Sequence, residues 1–266
     1  MSTLSNIDIQ TEIVKENILI HPFCQKNLKA SSYDLTVSRV AYKISDKSES
    51  PSKISYQSAY DQDKGKVIIP AKSVVIVWTN ESIYVSKSIS GTYHSRVRLV
   101  AKGLGHIGTT LDPGYLGSSA ITVHNHSDYD LELDPEKDTF ATLMFQYVKT
   151  ESTKEHGNPP GKPDLPIVFT DEEERWLKED FRQTKDSLKK TLEKLPPESD
   201  YQEIVKKSIK NKNKYSFLYP YIIYGVLIVI VLQPFFPVPF SDKIVTGFVG
   251  AFAAQLVNDV KRKNEN

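Results

Sequence analysis

The chain has 266 residues, enough for one large domain or two small ones. Lys and Arg number 34 against 33 Asp and Glu, so no overall basic field indicates nucleic acid as a partner. The single cysteine, Cys24, excludes a disulfide framework within the chain and fits a reducing compartment. At the start of the chain, MSTLSNIDIQ has neither a basic nor an apolar region, so we expect no signal peptide.

Residues 1–150 are rich in β-branched and aromatic residues and are interrupted by turn-forming residues, which predicts a mainly β domain. A weak helical period predicts a short helix over Ile7–Glu16. Turns are predicted at Gly91, Gly114–Gly117 and Asp134–Lys137. Short strands at this spacing indicate a sandwich or a barrel. The predicted strands lie in Val67–Thr79 (two around Pro70), Ile83–Val85, Thr92–Leu99, Ser119–His124, Leu131–Leu133 and Thr142–Val148.

Residues 151–169 contain several prolines and glycines and predict a linker. Amphipathic and basic helices are predicted over residues 170–214. Thr170 and Glu173 form a potential capping box for the first of them, and Tyr201–Lys214 forms the second. A seam at spacings of four and three along the first helix fits either a helix laid on the β domain or a short coiled coil. The seam consists of Leu177, Phe181, Thr184, Leu188, Thr191 and Leu195.

The most distinctive stretch of the chain is Ser216–Ser241, which contains no charged residue. A membrane-spanning helix needs about 20 apolar residues, and this run supplies nearly that many before its prolines. A second apolar run, Ile244–Asn258, follows it. Basic residues flank the outer ends of both runs, which places both termini in the cytoplasm. These patterns predict a transmembrane helical hairpin over residues 215–260, with the lipid bilayer as a partner and the N-terminal domain cytoplasmic. The alternative is a hairpin buried in a protein core.

An ordered set of short segments runs through the first 150 residues. Each is a weak signal alone, since Asp112-Pro113-Gly114-Tyr115 is also a good turn sequence. The set consists of His21-Pro22-Phe23, Lys29–Leu35, Ser95–Leu99, Gly103-Leu104, Leu111–Gly117, His124-Asn125 and Phe140–Phe145. In this order and spacing, residues 1–150 resemble the dCTP deaminase and dUTPase superfamily, and the opening segments are more similar to the deaminase branch.

The resemblance implies a distorted β-barrel of dUTPase type that assembles as a homotrimer, with pyrimidine deoxynucleotide sites for dCTP or dUTP between subunits. It implies a catalytic role for Asp112, near the sugar 3′-hydroxyl and the reacting water. Tyr115 would pack on the deoxyribose, and Arg96 would lie near the phosphates or a trimer contact. The implied nucleotide-binding residues are Arg96, Arg98, Gly108, Thr109, Thr110, Leu111, Asp112 and Tyr115.

The sequence departs from the family pattern at the positions that carry the chemistry. The family's general acid/base is a glutamate in the strand after the Asp-Pro-Gly turn, and that position is Thr122. A threonine hydroxyl is far too weak a base to activate water near neutral pH. The family's phosphate-binding serine and second arginine correspond to Val97 and Ala101, unless Arg98 or Lys102 compensates through a shifted register. A later arginine and glutamine correspond to Thr139 and Thr142.

No cluster of side chains predicts a metal site. His124 and His126 would share one face of a strand, but further ligands are missing from the sequence nearby. We therefore expect no protein-bound cofactor, and Mg²⁺ only as the companion of a nucleotide triphosphate.

Three functions remain open from the sequence. The first is a nucleotide sensor or signalling module with lost or weakened catalysis, because a membrane tether serves a sensor better than a metabolic enzyme. The alternative is an active dCTP deaminase or dUTP pyrophosphatase of deoxyribonucleotide metabolism, favoured by Asp112 and Tyr115. The third is a structural trimer without a ligand.

Overall fold

The computed structural model describes residues 2–44, 55–106, 108–154, 165–178 and 184–216, with side chains described as far as Ser208. The chain divides into two compact units, Met1–Lys210 and Asn211–Asn266, and the second lies almost wholly outside the described residues.

The first unit is mainly β, as predicted, and its strand pairs are antiparallel. The strands are β1 (Ser2–Thr3), β2 (Ile18–His21), β3 (Tyr33–Ile44), β4 (Tyr56–Ser58), β5 (Tyr60–Asp61), β6 (Lys66–Ile69), β7 (Val74–Val85), β8 (Ile89–Ser95), β9 (Leu104–Gly105), β10 (Thr110–Leu111), β11 (Leu116–Asn125), β12 (Leu131–Leu133) and β13 (Thr139–Tyr147). The helices are α1 (Asn6–Val14), α2 (Val97–Val100), α3 (Asp171–Lys178), α4 (Lys185–Glu193) and α5 (Asp200–Ser216).

The larger sheet follows the order β10-β8-β13-β3-β7-β11-β9, and the smaller sheet is β12-β6-β5. The described strands form a curled antiparallel half-barrel, which agrees in part with the predicted distorted β-barrel. The two ends of the path, β9 and β10, are consecutive in the chain.

The longest strands, β3 and β7, lie in the middle of the sheet and are covered on both faces. The sequence prediction did not include β3, since its apolar residues are interrupted by Asp34, Thr36 and Ser38, all of which are buried. These polar groups are satisfied internally. For example, the Thr36 backbone N–H and hydroxyl both donate to the buried Glu81 carboxylate.

One predicted turn and one predicted strand need correction. Gly91 lies inside β8 and not in a turn; a Cβ there would approach the Met144 carbonyl oxygen to 2.8 Å, so the close approach of β13 requires glycine. The strand predicted over Thr92–Leu99 ends at Ser95, where the chain turns into the short helix α2.

A capping box at Ser5 begins α1, close to the predicted start. The Ser5 hydroxyl accepts from the Asp8 backbone N–H at 3.2 Å, and the Asp8 carboxylate accepts from the Ser5 N–H at 2.9 Å. Ile9 and Ile13 then bury one side of the helix in the core.

The helix predicted from Thr170 onward is divided into α3 and α4, with residues 179–183 outside the described part. Thr184, a seam position in the prediction, is the N-cap of α4. Leu188 and Leu192 of α4 and Tyr201 and Ile204 of α5 join the core of the β domain. Of the two alternatives for the seam, the structure shows helices laid on the β domain.

The predicted transmembrane hairpin over residues 215–260 lies almost entirely outside the described residues. Within the described part, no helix combines the length and the apolar character that a membrane crossing requires. The last described helix, α5, is rich in lysine and begins with acidic residues. The predicted localisation as a multi-pass membrane protein is therefore wrong for the helices that the structure provides, and the bilayer is not a supported partner.

Candidate functional site

The Asp112-Pro113-Gly114-Tyr115 segment forms the turn that joins β10 to β11. The Tyr115 N–H donates to the Asp112 carbonyl at 3.1 Å, and Gly114 has a φ of 79°, a left-handed conformation that favours glycine. The turn is attached to the end of β7, where the Val85 N–H donates to the Tyr115 carbonyl at 3.0 Å and the Ser86 carbonyl accepts from the Gly114 N–H at 3.3 Å. The sheet thus holds the turn in place.

The turn sets an exposed carboxylate beside a fixed aromatic ring. Asp112 is exposed, whereas Tyr115 is only 8% exposed and its ring belongs to the core. The Tyr115 hydroxyl donates to the Ser118 carbonyl at 2.8 Å, which holds the ring in one orientation. A ring held in this way can act as a rigid wall for a ligand lying over Asp112.

The predicted nucleotide-binding residues Gly108–Leu111 precede this turn directly. Gly108, Thr109 and Thr110 are exposed, and Leu111 is buried. Because this segment lies at the open edge of the half-barrel, its exposed residues and the turn form one continuous surface. Backbone N–H and C=O groups in such a segment are suited to hydrogen bonding with the edge of a base.

The Arg96 side chain forms an ion pair and a hydrogen bond within the β domain. Its guanidinium lies 2.5 Å from the carboxylate of the buried Asp34, which also accepts from the Thr142 hydroxyl at 2.7 Å. The guanidinium donates to the Thr139 hydroxyl as well. The two threonines that replace the family's arginine and glutamine are therefore partners of this ion pair. Arg98, in contrast, is 62% exposed and lies 3.8 Å from the Asp138 carboxylate.

Thr122 is exposed on the outer face of β11, opposite Ile76 of β7. His124 and His126 share this face, as predicted, and their rings stack 6.0 Å apart. Among the described residues, no group of three or more His, Cys, Asp or Glu side chains could hold a metal ion.

Tyr93 of β8 belongs to this site, although the sequence analysis did not single it out. Its side chain is buried, with the hydroxyl 2.6 Å from the Ser119 hydroxyl. Burial raises the pKa of the Tyr93 hydroxyl well above its ordinary range, and nearby Tyr115 and Asp112 raise that pKa further. The only sequence signal for Tyr93 is an aromatic residue in a predicted strand, which does not distinguish it from other core residues.

A sequence model of the family described as dCTP deaminase-like matches residues 3–148. The chain therefore belongs to the dCTP deaminase-like family. A dCTP deaminase of Pyrococcus abyssi is 30% identical over 132 residues, which cover 50% of this chain and 78% of the relative. A dCTP deaminase of Thermococcus kodakarensis is 31% identical over 120 residues, 45% of this chain and 70% of the relative.

Solved structures with a similar fold include a 2′-deoxycytidine 5′-triphosphate deaminase from Agrobacterium tumefaciens. The TM-score is 0.43 at 12% identity, covering 55% of this chain and 48% of that chain. A native dUTPase of EIAV gives a TM-score of 0.34 at 16% identity, covering 57% of this chain and 99% of that chain. These scores are low, and family membership rests on the sequence.

Proposed function

We propose that residues 1–150 bind a pyrimidine deoxynucleotide, dCTP or dUTP, on the surface formed by residues 108–111 and the Asp112–Tyr115 turn. One observation carries the proposal: an exposed backbone segment leads directly into an exposed carboxylate beside a rigidly held tyrosine ring. The backbone groups suit a base edge, Asp112 suits a sugar hydroxyl, and Tyr115 suits the apolar face of a deoxyribose.

We further propose that deamination is lost or strongly weakened. Thr122 stands where the deaminase branch has its general acid/base, and losing such a group lowers the rate by about 10²–10⁴-fold. Mg²⁺ would accompany the triphosphate, with no protein-bound cofactor. The signalling role inferred from the sequence depended on a membrane tether, and without that tether we do not propose it.

The second candidate function is active dCTP deamination or dUTP hydrolysis. Family membership favours it, because the relatives described above are named dCTP deaminases. In this case Asp112 would have to act as the general base that accepts the proton of the attacking water.

We also propose that the site is completed in a homotrimer. The helix α2 exposes Val97 and Val100 next to Arg96, which offers apolar surface to a second copy. Light scattering would give three times the 30.1 kDa of one chain for a trimer. A monomer at all concentrations would contradict this part of the proposal.

Binding can be tested by thermal unfolding of the full chain with dCTP, dUTP and Mg²⁺. A ligand that binds only the folded state raises the melting temperature. We expect this rise with wild type and not with Asp112→Asn. Asp128→Asn is the matched control, because Asp128 is an exposed carboxylate paired with Lys72 and lies beyond the far end of β11. A wild-type melting temperature that neither nucleotide changes would contradict the proposed function.

A further inference from the structure

We propose that Tyr93 is a positioning residue that holds residues 108–109 and the Asp112–Tyr115 turn at a fixed spacing, and that selectivity for deoxyribose over ribose depends on its hydroxyl. This inference rests on the proposed nucleotide site. It adds a buried residue that contacts the first half of that site, residues 108–109, and acts on the second half, the turn, through Ser119.

The backbone of Tyr93 supports the first half of the site. Its N–H donates to the Thr109 carbonyl at 2.9 Å. Its own carbonyl oxygen lies 3.7 Å from the position that a Cβ on Gly108 would take, so a side chain there would be in van der Waals contact with it. The position of the proposed base-reading segment therefore follows the position of Tyr93.

The side chain of Tyr93 supports the second half. Its hydroxyl is 2.6 Å from the Ser119 hydroxyl, and both residues are buried. Ser119 directly follows Ser118, whose carbonyl accepts the hydrogen bond from Tyr115. The Tyr93–Ser119 contact thus acts on the part of β11 that orients the Tyr115 ring.

The strand β11 is irregular at this point and needs such support. Its register with β7 shifts between Ser118 and Ala120, which leaves Ser119 outside the regular ladder. The Ser119 N–H donates instead to the Thr79 hydroxyl at 2.9 Å, and that hydroxyl donates to the Glu81 carbonyl at 2.8 Å. A bulge held by side chains can shift when one of their hydrogen bonds is removed.

A small shift of Tyr115 matters more for selectivity than for binding itself. In the pose that we propose, the ring contacts the sugar face closely enough to exclude a 2′-hydroxyl. A loosened ring would still pack against deoxyribose but would also tolerate ribose. We therefore expect Tyr93→Phe to lower the ratio of the CTP to the dCTP dissociation constant by about tenfold, the effect of one lost buried hydrogen bond.

The test is calorimetric titration of the full chain with dCTP and CTP. Ser119→Ala removes the other hydroxyl of the pair and should lower the ratio to a similar extent, while the double variant should add little further. Tyr33→Phe is the matched control. Tyr33 is equally buried, and its hydroxyl accepts from the Cys24 N–H at 2.8 Å and is hydrogen-bonded to the Asn27 side chain, so the control also loses buried hydrogen bonding elsewhere in the core.

Two outcomes would overturn the inference, and they differ. If wild type prefers dCTP but the ratio is unchanged in Tyr93→Phe, or falls as far in Tyr33→Phe, Tyr93 does not position the site. If wild type binds neither nucleotide, the proposed function itself is wrong and the inference falls with it.

Discussion

At the scale of single residues, two aspartates of the β domain differ in their surroundings. Asp34 is buried between Arg96 and Thr142, whereas Asp112 is exposed on a turn. Asp34 is buried and the Arg96 side chain is 23% exposed, so this ion pair lies at the edge of the core and its role there is structural. Arg96, implied by the resemblance as a phosphate or trimer contact, is already occupied by this internal partner.

The loss of the general acid/base can be tested by restoring it. Thr122→Glu places a carboxylate on the exposed outer face of β11, at the position where the deaminase branch carries its glutamate. If the rest of the site is intact, ammonia release from dCTP should rise by about 10²–10⁴-fold over wild type.

Thr122→Gln is the control for this gain, since glutamine has nearly the same shape as glutamate but cannot accept a proton from water. Equal rates for the two variants would show that a carboxylate at position 122 has no access to the nucleotide.

The prediction of Asp112 and Tyr115 as site residues came from a contiguous turn motif, and the structure places both in one turn, while their roles stay predictions. The sequence could not identify the partner of Arg96, since Asp34 is distant in the chain and reaches it only through the pairing of β3 with β13 and of β13 with β8. Tyr93 was not identified for the same reason. Its role comes from Thr109 and Ser119, which lie on different strands.

At the scale of elements, the segment 165–178 is fixed to the sheet by aromatic contacts. The Phe169 ring lies 5.6 Å from both Tyr42 and Trp78, each in an edge-on arrangement. Glu173 caps α3 by accepting from the Thr170 N–H at 2.8 Å, and its carboxylate also accepts from the Tyr42 hydroxyl. The capping box was predictable from local sequence, but its connection to β3 was not.

Phe169→Ala should release this segment locally. Two aromatic contacts worth about 0.5–1.5 kcal/mol each would be lost, so the free energy of local opening should fall by about 2 kcal/mol. Both tryptophans of the chain, Trp78 and Trp176, pack in this cluster, and their fluorescence should shift to longer wavelength.

Val168→Ala is the control, because the neighbouring Val168 side chain is 87% exposed and should leave the emission unchanged. Unchanged emission in Phe169→Ala as well would mean that Phe169 does not hold the segment on the sheet.

The other elements were predicted unevenly. Leu131–Leu133 matches β12, because a short apolar alternation between turns has few alternatives. The strand β3 was not predicted, because its buried polar residues give it a sequence pattern like that of a solvent-exposed loop. The seam from Leu177 to Leu195 was read as one helix, since periodicity alone does not detect the capped start of α4 at Thr184.

At the scale of the whole molecule, tyrosines with raised pKa values make the stability of the fold decrease at alkaline pH. Burial, followed by the nearby Glu12 carboxylate, raises the pKa of Tyr147 from 10.0 to about 12. The pKa values of Tyr33, Tyr42, Tyr93 and Tyr201 are raised as well, in each case mainly by burial. The unfolded chain, with ordinary values near 10, ionises its tyrosines first.

The contribution of these tyrosines to the free energy of unfolding is therefore fully present below about pH 10 and is lost as the pH rises toward about 12. Urea unfolding at about pH 9 and about pH 11 should show a lower free energy of unfolding at the higher pH. Tyr147→Phe should reduce this difference, and the exposed Tyr129→Phe should not. A free energy of unfolding that is equal at both pH values would contradict this assignment.

The family and the mainly β fold followed from motifs and strand spacing, and both are confirmed. The predicted membrane localisation is contradicted, because no helix in the described part of the chain is long and apolar enough to cross a membrane. The segment on which that prediction depended lies almost entirely outside the described residues. The prediction of a bilayer partner depended on one stretch of sequence, whereas the family assignment depended on several segments in register.

The central claim is that the chain holds a pyrimidine deoxynucleotide without deaminating it. The most direct measurement is equilibrium dialysis of the full chain against dCTP, and in a parallel sample against dUTP, with retained nucleotide and released ammonia determined in each sample. We predict that dCTP is retained unchanged, with ammonia at the level of a protein-free blank. Sustained ammonia release, or no retention of dCTP or dUTP at any concentration, would contradict the claim.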